Sequence, residues 1–95
     1  MHVYKCGRII QYHIHVHNIS VAAYAERQVY ALNSEKWFPW VNLIKVPAVC
    51  DNPGDGDFYF TITDAGRILL GTRNKAITAS EGLHFYGWVC GISKN

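Results

Sequence analysis

The chain has 95 residues and a formal net charge of +2; 17% of its residues are charged and 49% hydrophobic, with three Trp, six Tyr and four Phe. That length supplies one core rather than two, and the apolar share is large enough to offset the ordering entropy that leaves polar, highly charged chains disordered. A single domain over residues 1–95 is expected, without the basic stripe of a dedicated nucleic-acid binder, since only Arg67, Arg73 and Lys75 form even a loose cationic group.

The opening "MHVYKCGRII" lacks an apolar stretch followed by a small-residue cleavage site, and the apolar runs beyond it are cut by Pro39, Lys45 and Pro47. Neither a signal peptide nor a membrane span is expected. Cys6, Cys50 and Cys90 are odd in number and fall in no paired motif, which points to reduced thiols and a cytoplasmic protein.

In chain order, residues 2–5 read as a short strand that turns at Cys6 and Gly7. From residue 8 to 17 the side chains alternate: Ile10, Tyr12, Ile14 and Val16 on one side, Gln11, His13, His15 and His17 on the other. A period of two means a strand buried on one face. Ser20 precedes "VAAYAERQVYAL", in which Ala22, Ala25, Val29 and Leu32 recur at helical spacing. The spacing predicts a helix with Ser20 as N-cap and Asn33 or Ser34 as its end.

Pro39 forbids a continuing helix, and residues 40–46 read as a strand whose Pro47 belongs at an edge or a bulge. The segment "DNPGDGD" resembles a calcium loop in its acids, but Pro53 takes the third ligand position and Ile62 the twelfth, so an ordinary turn is expected. "FYFTITDAGRILLGT" reads as a hairpin with Asp64, Ala65 and Gly66 as a three-residue loop. In "LHFYGWVCGI", Leu83, Phe85 and Val89 share one side with Gly87 and Gly91, while His84, Tyr86, Trp88 and Cys90 share the other. The fold class that follows is α+β, one helix packed on one face of a mostly antiparallel sheet of four to six strands.

The histidine row raises the question of a metal. Residues two apart on a strand lie about 6.6 Å from each other and residues four apart about 13 Å, so at most two of His13, His15 and His17 can share an ion. A zinc site needs three or four protein ligands, which this row would have to borrow from the last strand, at His84 or Cys90. Nothing in the sequence makes those strands neighbours, and the row reads as a polar strand face with no metal or cofactor.

Two resemblances bear on function through short motifs. The His-hydrophobic-His pattern of His13-Ile14-His15, or His15-Val16-His17, is similar to that of the HUH endonucleases; the resemblance implies a metal-dependent single-stranded DNA nuclease with Tyr24 or Tyr30 as the attacking helix tyrosine. A helix on the apolar face of the strand would hold those tyrosines across the sheet from the histidines. Thr63 to Leu70 resembles the Thr-Asp-x-Gly-Arg step of winged-helix repressors, which implies a DNA-binding regulator with helices for the groove. No serine elbow, phosphate-cradling glycine loop or carboxylate pair is present, and no enzyme or catalytic residue is expected.

With the helix on one sheet face, the other is left to solvent. It would carry His13, His15, His17, Tyr59, Thr61, His84, Tyr86 and Trp88, an aromatic surface suited to a protein partner or to a second copy of the chain. Stacking of single-stranded bases is the weaker use, because no basic rim accompanies it. Trp37, Phe38 and Trp40 form a second aromatic group, expected in the core. In size and element order the chain resembles small phage-encoded proteins, inhibitors of bacterial CRISPR complexes among them. That likeness implies a stoichiometric, non-enzymatic inhibitor or regulator of a larger host complex.

Overall fold

The computed structural model describes residues 1–50, 56–81 and 83–94. Its strands are β1 (His2–Cys6), β2 (Ile9–His17), β3 (Glu26–Ala31), β4 (Leu43–Pro47), β5 (Val49–Cys50), β6 (Phe58–Ile62), β7 (Arg67–Thr72) and β8 (His84–Ile92), with one short 3-10 turn at Glu35–Trp37. They form two four-stranded antiparallel sheets, ordered β1-β2-β8-β5 and β3-β7-β6-β4. The expected α+β class is therefore overturned: the described residues contain no α-helix, and a second sheet stands where one was expected.

The helix expected after Ser20 dissolves for identifiable reasons. Tyr24 takes a left-handed φ of 58°, which a continuing helix does not tolerate. The Ser20 hydroxyl accepts from the Ala79 amide at 2.9 Å instead of capping a helix, and its carbonyl accepts from Arg27. Residues 26–31 pair with β7, and the register slips between Gln28, opposite Leu69, and Tyr30, opposite Ile68. That bulge leaves Val29 as an extra residue, so the apolar positions of β3 lose their strict alternation and imitate helical spacing. Ser34 accepts from the Lys36 amide at the start of the 3-10 turn.

Other elements lie close to their sequence signals. Gly7, at φ 60°, opens the two-residue turn that joins Cys6 to its partner Ile9. Gly66, at φ 82°, closes the turn between Thr63 and Arg67, whose carbonyl accepts from the Thr63 amide at 2.8 Å. Pro47 ends β4, an edge strand with an irregular step between Leu43 and Val46 where Lys45 has φ 56°. The segment then turns at Ala48 and enters the other sheet as β5, so one stretch of chain closes one side of the sandwich. Of the acidic loop, residues 51–55 lie outside the described residues; Asp57 pairs bidentately with Arg73 at 2.8 and 2.9 Å, which holds its carboxyl below the usual range.

The core lies between the sheets. Ile10, Tyr12, Ile14 and Val16 from β2 and Phe85 from β8 meet Val46, Phe60, Ile62, Ile68 and Leu70 of the second sheet, all buried. The glycines on the inner side of β8 mark where that sheet comes closest. A Cβ on Gly87 would stand 2.5 Å from Phe60 Cδ2, and one on Gly91 2.9 Å from Leu43 Cδ1. Trp40 departs from its expected burial with 62% exposure, while Pro39 beside it is fully buried.

Two stability predictions follow from this core. Gly87→Val forces the Phe60 ring out of its seat and lowers the unfolding free energy by about 1–3 kcal/mol, the usual cost of overpacking, readable as a lower urea midpoint. Tyr12 is fully buried with its hydroxyl donating to the Trp37 carbonyl, and burial pushes its phenol up to about 12. The unfolded chain ionises this phenol near pH 10, so above that pH the unfolded state loses its proton first and stability falls until the folded phenol also titrates. The stability advantage of wild type over Tyr12→Phe is complete below pH 10 and shrinks by about 2–3 kcal/mol by pH 12, measured by denaturant titrations across that range.

Candidate functional site: the outer face of the first sheet

The register assembles this face row by row. Cys6, Ile9 and Ile92 form one row, then Tyr4, Gln11 and Cys90, then His2, His13 and Trp88; next come His15, Tyr86 and Val49, and last His17 opposite His84. All five histidines of the chain lie on this one face. Among its described residues there is no Asp, Glu, Lys or Arg. Cys6 and Cys90 are exposed thiols.

Of the residues singled out from sequence, the structure brings together His13, His15, His17, His84, Tyr86 and Trp88. Tyr59 and Thr61 are not with them. They lie on β6, on the outer side of the other sheet, where Tyr59 is 9% exposed against Gly71 with the Arg73 guanidinium 4.9 Å from its ring. The β6–β7 hairpin and the histidine strand belong to different sheets, which the alternation of either strand does not distinguish. Sequence reasoning missed Tyr4 and Val49, which complete the face from the flanking strands β1 and β5. His2 was missed with them, although its place in an alternating strand was a usable signal.

The rings on this face touch in two groups. His13 packs edge-on against Tyr4 and Trp88, with centroids 5.1 and 5.0 Å away, and its Nε2 is enclosed without a hydrogen-bond partner. His15 lies parallel to Tyr86 at 4.7 Å and 4°, and its Nε2 is 2.8 Å from His84 Nδ1, a hydrogen bond that one of the two rings donates. His17 stacks on both, at 5.7 Å from His15 and 5.3 Å from His84. One nitrogen from each of His15, His17 and His84 falls within 4.8 Å of the others. These three are the residues of the face that can converge on one ion. An open hollow of about 490 Å³ is lined by residues of both groups, His13 and Trp88 from the first and His15 and Tyr86 from the second, together with His2 and Val49 among others.

The tyrosines that the HUH resemblance required do not reach the histidine rings. Tyr24 is exposed in the loop before β3. Tyr30 lies on β3 in the second sheet, and its hydroxyl donates to the His15 carbonyl at 2.6 Å. It braces the backbone of β2 from the core side while the imidazole points away. The winged-helix resemblance loses its recognition helix, since Thr63 to Leu70 is the turn and most of the second strand of the β6–β7 hairpin and the described residues form no α-helix. Among the described residues no helix is long and apolar enough to cross a membrane.

Tyr30→Phe removes that brace and leaves a carbonyl at the sandwich interface short of a donor. The expected loss is about 1 kcal/mol, with faster amide hydrogen exchange at residues 14–17 than at β6 and β7. No known protein family matches the chain, and neither curated proteins nor solved structures provide a match to it.

Proposed function

We propose that the chain is a small non-enzymatic binding protein that engages a protein partner through the outer face of its first sheet. One observation carries this reading: the uncharged character of that face. Tyr4, Ile9, Val49, Tyr86, Trp88 and Ile92 all expose large apolar side chains there, Trp88 to 68%. The opposite outer face instead carries Glu26, Gln28 and Arg67. Depletion of charge with enrichment in Trp and Tyr is the composition of the centre of a protein–protein interface, and contiguous apolar surface of this kind is costly to leave in water.

A polyanion is the poorer fit. Phosphate recognition draws on lysine and arginine, and this face has neither among its described residues. A stoichiometric inhibitor or regulator of a larger complex is the role proposed for such a face, in line with the small phage-encoded inhibitors that the chain resembles in size. The element order behind that likeness included a helix and does not add to it. A cytoplasmic setting belongs to the same proposal and is supported by the exposed thiols of Cys6 and Cys90.

The test is a comparison of three forms in affinity capture from host extract: wild type, Trp88→Ala with Tyr86→Ala, and Gln28→Ala on the opposite face. Gln28→Ala is expected to change stability by less than about 0.5 kcal/mol; the double variant loses two cross-strand ring pairs and about 1–2 kcal/mol, so its urea midpoint is measured first to establish that it is folded. A partner retained by wild type and Gln28→Ala but lost by the double variant supports the reading. Capture that is indifferent to Trp88 and Tyr86 overturns it. So does light scattering that shows a dimer dispersed by the double variant, because the face would then be occupied by a second copy.

A further inference from the structure

We infer that His15, His17 and His84 form a site for one divalent transition-metal ion of the zinc class. The inference does not rest on the partner proposed above. Its basis is the pairing of β2 with β8, which seats His17 directly opposite His84 and His15 on the diagonal beside both. Three imidazole nitrogens already lie within 4.8 Å of one another. Around a tetrahedral ion with nitrogen ligands at about 2.0–2.1 Å, donor atoms stand about 3.3 Å apart, so the longest separation must close by about 1.5 Å.

The side chains have the freedom to make that adjustment. His17 is exposed, and the three rings project from the solvent face of a paired backbone that holds their Cα positions. Coordination turns the rings, now stacked at 18 to 28°, so that their lone pairs meet at a common point. The 2.8 Å contact between His15 Nε2 and His84 Nδ1 places one proton between two nitrogens. A metal ion takes the place of that proton once the donating ring has passed it, by exchange with water, to its other nitrogen; both rings stay neutral and both lone pairs are then turned to the ion. The parallel Tyr86 ring limits how far His15 can swing.

The donor set selects the ion. Three neutral imidazoles favour Zn²⁺, Ni²⁺ and Cu²⁺, whereas Mg²⁺ and Ca²⁺ require oxygen ligands. With three protein donors the fourth position is left to water or to a side chain from outside. No lysine or arginine stands among the described residues of this face to oppose the added positive charge.

Calorimetric titration of the intact chain with Zn²⁺, and separately with Mg²⁺, tests the site. The expected result is one zinc per chain at micromolar affinity or better and no uptake of Mg²⁺. His17→Gln and His84→Gln are each expected to weaken zinc by at least about tenfold, while His2→Gln and His13→Gln, on the same face outside the cluster, leave it unchanged. Imidazole nitrogen NMR of the wild-type chain gives a readout that needs no substitution: zinc shifts the resonances of His15, His17 and His84 and leaves those of His2 and His13 in place. The inference is overturned if zinc does not bind at 100-micromolar concentration, or if all five histidines respond alike, which would describe a diffuse imidazole surface. No partner protein enters either measurement, so its outcome is separate from that of the capture experiment.

Discussion

The pairing of β2 with β8, nine residues against nine from Ile9–Ile92 to His17–His84, is the constraint on which the rest of this structure depends. Side chains alternate along both strands, so this one register decides at once which residues enter the core and which stand together outside. A slip of one residue would exchange the two sets entirely. The core guards against it: a side chain at Gly87 would have to displace the Phe60 ring, and one at Gly91 would have to push aside the end of Leu43. A displaced β8 would bring Tyr86, Trp88 or Cys90 under those residues.

The same packing makes the two outer faces unequal. The second sheet turns Val46, Phe60, Ile62, Ile68 and Leu70 inward and leaves Glu26, Gln28 and Arg67 outside, beside Tyr59 and Leu69. The first sheet is equally well filled within, yet outside it carries imidazoles, phenols and an indole. Its outer face is therefore presented by a rigid base, with Tyr30 anchored to the His15 carbonyl from below and Tyr12 tied to the Trp37 carbonyl. Ordering of the side chains above is correspondingly less costly on binding, because the backbone that carries them is already held.

Much of this was legible in particular residues. The alternation of Ile10, Tyr12, Ile14 and Val16 with histidines marks a half-buried strand, Asp64-Ala65-Gly66 marks the hairpin loop, and the small residues Gly87 and Gly91 mark a close approach. The segment from Ser20 to Leu32 is misleading because the bulge at Val29 breaks the alternation of β3 and Ala22, Ala23 and Ala25 precede that strand, so that propensity favours a helix. Losing that helix to a strand changes the fold class but not the direction in which the histidines point, since a second layer on the apolar face of β2 is required either way. The site lost Tyr59 for a related reason: nothing local distinguishes two strands of one sheet from two strands of facing sheets.

What the amino-acid sequence determined alone was sidedness within each strand. The two-residue repeat of an extended backbone is a local property, so the imidazoles of residues 13, 15 and 17 had to share a face opposite a buried one. Which strands became neighbours was decided only by tertiary structure. Backbone hydrogen bonds between strands are chemically alike for almost any sequence, and the choice among them falls to packing between segments far apart in the chain. His15 and His84, 69 residues apart, meet at 2.8 Å for that reason.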